Sequence, residues 1–209
     1  MSAELAARVA AAARRMSAQG LAQGKSGNVS ARFGDGFLVT PSGHPYDAME
    51  AGDIVHVDAR GEPHGPRAPS SEWRLHRDIY VRRPEAQAIV HTHSPFATTL
   101  ACLDRGIPAF HYEVAQLGGR DIRCAGYATF GTQELSDLAV EALEARRACL
   151  LSHHGAVAFG ADVDEALMLA GKVESLARMY WQALQVGEPS LLDDAEMDRV
   201  ARKFLTYGK

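Results

Sequence analysis

The sequence predicts a layered α/β domain whose sheet is not wholly parallel. Short apolar runs at 88–93 and 149–152 alternate with segments of helical periodicity that open on capping residues. Near the N-terminus two short strands flank a turn, as in a hairpin, which argues against an all-parallel sheet. With 209 residues, 46% of them hydrophobic, the chain suffices for one sizeable core and leaves little for another, so a single domain over 1–209 is expected.

Ser2 stands as a cap before Leu5, Val9, Ala12, Ala13 and Met16, which recur at helical spacing until Gly20 ends the pattern. Between 24 and 36 the composition turns to Gly, Ser and Asn and reads as loop and sheet. Residues 37–40 and 54–57 read as strands joined through the Pro41-Ser42-Gly43 turn. Pro63, Pro66 and Pro69 then break any regular element. Ser70 and Ser71 stand at the start of a helix carrying Trp73, Leu75, Ile79 and Tyr80, with Pro84 just beyond its end. The strand 88–93 bears His91 and His93 near its end, and Ser94-Pro95 supplies a cap and a first helical residue. Thr132 opens a helix through Leu135, Leu138, Ala142 and Leu143, followed by the apolar strand 149–152. Asp162 and Glu165 form a capping-box pattern before Ala166, Leu169, Val173, Leu176, Tyr180 and Leu184, and Asp193 with Glu196 starts a last short helix.

Composition excludes several classes. A net charge of -4 with Lys and Arg dispersed offers no basic stripe for nucleic acid. The first twenty residues lack the apolar core of a signal peptide, and no segment approaches a membrane span, so a cytoplasmic protein without a membrane partner is expected. Cys102, Cys124 and Cys149 are odd in number and widely spaced, which suggests buried thiols rather than disulfides or a thiolate metal site.

Two residues apart on a strand point to one face about 7 Å apart, so His91 and His93 can converge on one ion from a rigid element. Catalytic zinc takes about three protein ligands and keeps a displaceable position, so further donors must come from Glu72, His76, His111, His153 or His154. Strand periodicity does not choose between His153 and His154, because neighbours on a strand face opposite sides. Three small-residue turns, Gly27-Asn28, Ser42-Gly43 and Ser70-Ser71, offer backbone N–H groups, hydroxyls and an amide for a phosphate without a P-loop lysine.

Six ordered motifs carry a resemblance across nearly the whole chain: Gly27-Asn28-Val29-Ser30, Thr40-Pro41-Ser42-Gly43, Ser70-Ser71-Glu72-Trp73, His91-Thr92-His93, Ala128-Thr129-Phe130-Gly131-Thr132 and His153-His154-Gly155. The sequence resembles the class II aldolase/adducin family, and within it the bacterial aldolases of L-fuculose 1-phosphate, down to the closing Thr206-Tyr207-Gly208. The resemblance implies a three-layer α/β/α domain with a mainly antiparallel central sheet, in a homotetramer with active sites at subunit interfaces. It assigns one zinc ion per subunit to Glu72, His91, His93 and His154 and makes His153 an outward neighbour. It assigns the substrate phosphate to Asn28, Ser42, Gly43, Ser70 and Ser71, with Gly27 in the same loop. Tyr112 matches the family's catalytic tyrosine, reaching over from a neighbouring subunit, and Phe130 and Tyr207 match residues on the aldehyde side.

The implied reaction is cleavage of a ketose 1-phosphate to dihydroxyacetone phosphate and an aldehyde. Candidate substrates are L-fuculose 1-phosphate, 5-deoxyribulose 1-phosphate and 5-methylthioribulose 1-phosphate. Glu72 would close the resting zinc shell, then act as general base once the substrate displaces it, while Tyr112 exchanges a proton with the aldehyde oxygen. Among other branches, epimerases carry Asp at the position of Glu72, decarboxylases of sugar-acid phosphates depart from Ser-Ser-Glu-Trp, and adducin-like interaction domains lack the zinc ligands.

Overall fold

The computed structural model describes residues 2–206, so Tyr207 lies outside the described residues. Helix α1 (Ala3–Ala18) starts at the predicted cap, with the Ser2 hydroxyl accepting from Leu5 N–H at 3.3 Å. The strands are β1 (Asn28–Phe33), β2 (Gly36–Val39), β3 (Val55–Val57), β4 (Pro63–His64), β5 (Ala88–Thr92), β6 (Cys124–Ala125), β7 (Ala148–Leu151) and β8 (Gly155–Gly160). They form one sheet in the order β4-β3-β2-β1-β5-β8-β7-β6, in which only the β6–β7 pair is parallel.

The other helices are α2 (Trp73–Arg82), α3 (Pro95–Ala101), α4 (Gln133–Ala142), α5 (Val163–Val186) and α6 (Asp194–Phe204). Alternate residues of the central strands feed two cores, which is what makes three layers. Ala156 and Ala158 of β8 pack with α1, α3 and α5, whereas Val157 and Phe159 pack with α2 and α4 on the opposite face. The expected three-layer α/β/α architecture with a mainly antiparallel sheet is therefore what the chain adopts.

Caps at Thr132, Asp162 and Asp193 accept from Leu135, Glu165 and Glu196 as their spacing predicts. Two helix starts differ from expectation. Ser70 and Ser71 do not cap α2; its N-cap is Glu72, which makes no capping hydrogen bond because its carboxylate is engaged elsewhere. Ser94 makes none either, and the Glu174 carboxylate of α5 accepts from Phe96 and Ala97 N–H at 3.0 and 2.9 Å instead. A carboxylate at a helix N-terminus satisfies orphan donors and the dipole together, and here it pins the segment that follows His93.

Strands β1 and β8 were not marked out in the sequence. β1 alternates polar Asn28, Ser30 and Arg32 with apolar Val29, Ala31 and Phe33, but it lies within the Gly/Ser/Asn-rich stretch, which reads only as loop and sheet. β8 is buried along its whole length and shows no polar alternation. The cysteines also depart from expectation: Cys149 is buried, Cys124 is half-buried and Cys102 is exposed at the end of α3.

Candidate metal centre and substrate cavity

Because β5 runs antiparallel to both β1 and β8, its last residues meet the first residues of both neighbours. His91 pairs with Asn28 on one side and Val157 on the other, and His93 follows just past the strand end at Thr92. His154 lies in the tight turn between β7 and β8, and Glu72 comes from the start of α2. Four side chains from three separate stretches of sequence are thus delivered to one end of the central strands.

Their ligating atoms all lie within 4.8 Å of one another. His91 Nε2 is 2.9 Å from His93 Nε2 and 3.1 Å from Glu72 Oε2, while His154 Nε2 is 3.2 Å from Glu72 Oε1. The three rings stand edge to face, each pair of centroids 4.8 Å apart. His91 Nδ1 lies 3.0 Å from the Ala156 carbonyl, which can only accept, so Nδ1 carries a proton and Nε2 of the neutral ring is free to ligate. Glu72 Oε1 is buried and receives no hydrogen bond. Lone pairs converging in this way repel one another unless a cation sits among them, and a carboxylate with three imidazoles suits a zinc-like divalent ion.

Electrostatics of the metal-free cluster agree with that function. Burial opposes charge on Glu72, but His91, His154 and the Asn28 hydrogen bond outweigh it and hold the carboxyl well below the usual range. Burial likewise opposes charge on His91, yet Glu72 raises it above an ordinary imidazole. Burial and the His91 charge lower His93 to about 3 and His154 to about 4, so those rings are neutral, as metal ligation requires.

The raised His91 value means that the His91–Glu72 pair stabilises the metal-free chain at low pH and fades as pH rises through that value. Metal requires the neutral ring. The rise in Tm on adding zinc should therefore increase from about pH 6 to about pH 8. Differential scanning fluorimetry across that range measures it, and an increment that shrinks with pH would contradict this cluster.

A cavity of about 300 Å³ opens on Glu72, His93 and His154 and is also lined by Gly27, Asn28, Ser42, Gly43, Ser70 and Ser71. Two loops are zipped together along it: Ser42 N–H donates to the Ala68 carbonyl and Ser70 N–H to the Thr40 carbonyl, each at 3.0 Å. What these loops still offer an anion is the hydroxyls of Ser42 and Ser71 and the N–H groups of Gly43 and Ser71, beside the N-terminus of α2. Gly43 has φ +66°, a left-handed conformation that favours glycine. Asn28 is different, because both amide protons are already engaged, with Ser70 Oγ and Glu72 Oε2 at 3.0 Å each.

Phe130 lines the same cavity, largely exposed. Tyr127 and Lys25 line it too and were missed in the sequence, although Tyr127 adjoins the Ala128–Thr132 motif and Lys25 precedes Gly27 by two residues. Tyr112 is not there. It begins a 3-10 turn (Tyr112–Leu117), stacks on Phe204 and lines a separate cavity against α6. His111 joins it there, accepting from Glu113 N–H. His153 is exposed with φ +53°, which turns its ring to the cavity rim against Tyr127. His76, the remaining candidate ligand, is fully buried behind Asn28.

Residues 7–181 match the model described as the class II aldolase and adducin N-terminal domain. A 5-methylthioribulose-1-phosphate/5-deoxyribulose-1-phosphate aldolase from Rhodospirillum rubrum is 55% identical over 197 residues, covering 94% of this chain and 89% of that protein. The L-fuculose phosphate aldolase of Escherichia coli K12 is 46% identical over 194 residues, covering 92% and 90%. A solved L-fuculose 1-phosphate aldolase superposes with a TM-score of 0.95 at 38% identity, covering 98% of each chain.

Proposed function

This chain belongs to the class II aldolase and adducin family, and we propose that it cleaves a ketose 1-phosphate to dihydroxyacetone phosphate and an aldehyde, with zinc at the Glu72-His91-His93-His154 cluster. The observation that carries the reading is a cluster able to hold a metal that opens into the same cavity as the Ser42-Gly43 and Ser70-Ser71 turns, whose free N–H and hydroxyl donors suit an anion. Such a cavity can hold a phosphate at one end and stabilise negative charge a few atoms away.

Bound there, zinc supplies Lewis-acid stabilisation of the charge left when the carbon–carbon bond breaks. Ser42, Gly43, Ser70 and Ser71 hold the phosphate, which turns remote binding into orientation of the reacting carbons. Asn28 grips Oε2 of Glu72 and leaves Oε1 without a hydrogen bond, so Oε1 is the oxygen for proton exchange. In the condensation direction Glu72 takes a proton from the carbon of dihydroxyacetone phosphate that will form the new bond, and in cleavage it returns it. Tyr112 gives a proton to the aldehyde oxygen in condensation and receives it in cleavage.

Tyr112 is 48% exposed and outside the cavity of its own chain, so in this role it would reach the cavity from a second copy. That arrangement is consistent with an oligomer with interfacial sites, which we take to be the homotetramer that the family resemblance implies. In the cavity lining, Tyr127 and Phe130 present aromatic surface, which favours a wholly apolar methyl or methylthio tail over the lactaldehyde part of L-fuculose, which carries a hydroxyl beside its methyl. We therefore rank 5-deoxyribulose 1-phosphate and 5-methylthioribulose 1-phosphate above L-fuculose 1-phosphate; the Rhodospirillum rubrum relative is named for those two. Among the described residues no helix is long and apolar enough to cross a membrane, and we place the enzyme in the cytoplasm with its phosphorylated sugar.

Release of dihydroxyacetone phosphate from the three ketose phosphates, followed by a coupled reduction alongside zinc analysis, tests the reading. No cleavage of any of them, with loss of carbon dioxide from a 3-oxo-tetronate 4-phosphate, would make the chain a decarboxylase instead. For Tyr112→Phe, kcat should fall about 100-fold with KM little changed. A wild-type kcat would remove Tyr112 from the reaction.

A further inference from the structure

Behind the metal cluster runs a buried chain of polar groups that has no substrate to bind. Tyr80 Oη is 2.7 Å from Ser30 Oγ, and Ser30 Oγ is 2.6 Å from His76 Nδ1. His76 Nε2 bonds Asn28 Oδ1, and Asn28 Nδ2 reaches Glu72 Oε2 and Ser70 Oγ at 3.0 Å each. Asn28, Ser30, His76 and Tyr80 are all buried, and the imidazole is flanked by Phe37.

The direction of this chain follows from its end. A carboxylate only accepts, so the nitrogen of the Asn28 carboxamide faces Glu72 and its oxygen faces His76. His76 therefore carries its proton on Nε2, its Nδ1 accepts from Ser30, and the Ser30 oxygen accepts from Tyr80. Burial, then the His91 charge, lowers His76 to about 3, so the ring stays neutral and this tautomer is compatible with every neighbour. Every donor along the chain points towards Glu72.

We propose that His76 is a positioning residue: held by Ser30 and Tyr80, it locks the Asn28 carboxamide in the one orientation that grips Glu72, and so fixes that carboxylate at the metal centre. Without the Nε2–H donor, Asn28 Oδ1 is buried and unpaired, and the carboxamide is free to rotate away from Oε2. The role rests on the metal-dependent reading of the Glu72 cluster. It differs from packing because it depends on one N–H at one position rather than on the volume of the ring.

Zinc affinity of the full chain, measured by competition with a chromophoric chelator, tests it in His76→Phe, His76→Gln and Ser30→Ala. Outer hydrogen-bond partners of metal ligands are worth about 10–100-fold, so His76→Phe should weaken zinc about tenfold and lower kcat by a similar factor with KM little changed. His76→Gln, whose amide can donate to Asn28 Oδ1, should stay within about threefold of wild type on both readouts. A folded His76→Phe with wild-type zinc affinity, or a glutamine variant as weak as the phenylalanine one, overturns the proposal. Should His76→Phe fail to fold, Ser30→Ala decides: weakened zinc binding supports it, and wild-type affinity overturns it. If wild type cleaves no ketose 1-phosphate, the proposed reaction fails while the zinc comparison still decides the role of His76.

Discussion

Replacing Glu72 with glutamine should cut turnover about a thousandfold while the protein keeps its fold and part of its zinc. Three imidazoles remain, enough for a catalytic zinc site, and glutamine has the shape to accept from Asn28 as the carboxylate does. It cannot take a proton from carbon. The variant also removes the anion that raises His91 in the metal-free chain, after which burial favours the neutral ring against only the hydrogen bond to the Ala156 carbonyl. Zinc affinity in Glu72→Gln should therefore depend less on pH between about 6 and 8 than in wild type. Steady-state kinetics with metal analysis checks both. Wild-type turnover would remove Glu72 from the chemistry, and complete loss of zinc would make the carboxylate an obligatory ligand rather than a displaceable one.

What the sequence alone discloses follows the range of the forces involved. Helix caps are local, so Ser2, Thr132, Asp162 and Asp193 were readable and hold in the structure. His91 and His93 were readable as a pair because they stand two residues apart at the end of an apolar strand, although β5 itself stops at Thr92 between them. His154 was not, since neither it nor His153 belongs to a strand; both lie in a turn where φ +53° at His153 reorients the pair, and only the motif context selected His154. Long-range effects were invisible. Nothing near Ser94 announces that Glu174 will cap its helix, and nothing near Asn28 announces that a histidine 48 residues away will hold its carboxamide. The phosphate turns were visible as turns, but the engagement of Asn28 with Glu72 appears only once β1 pairs with β5.

Gly155→Ala should damage both the fold and the metal centre, by a route that no ligand substitution shares. Gly155 opens β8 directly after His154, and a Cβ there would stand 2.1 Å from the Thr92 carbonyl oxygen and 3.2 Å from His93 Cδ2. Thr92 is backbone in the middle of the sheet, so it has no flexible end to yield. The start of β8 must move off the end of β5, and this parts His154 from His91 and His93. Overpacking of this kind costs about 3 kcal/mol, which lowers Tm by about 6–12 °C for a domain of this size. Zinc affinity should fall at least about tenfold alongside, because the ligands no longer share one centre. Gly52→Ala is the matched control: nothing lies within 4 Å of its Cβ, and stability should stay within about 0.5 kcal/mol of wild type. Thermal unfolding with and without a chelator separates the two losses, since a chain that has only lost zinc would match chelated wild type, whereas displaced strands leave it less stable than that. A Gly155→Ala protein with wild-type Tm and zinc content would mean that β8 can shift without disturbing His154, and that the glycine is not what sets the geometry of the centre.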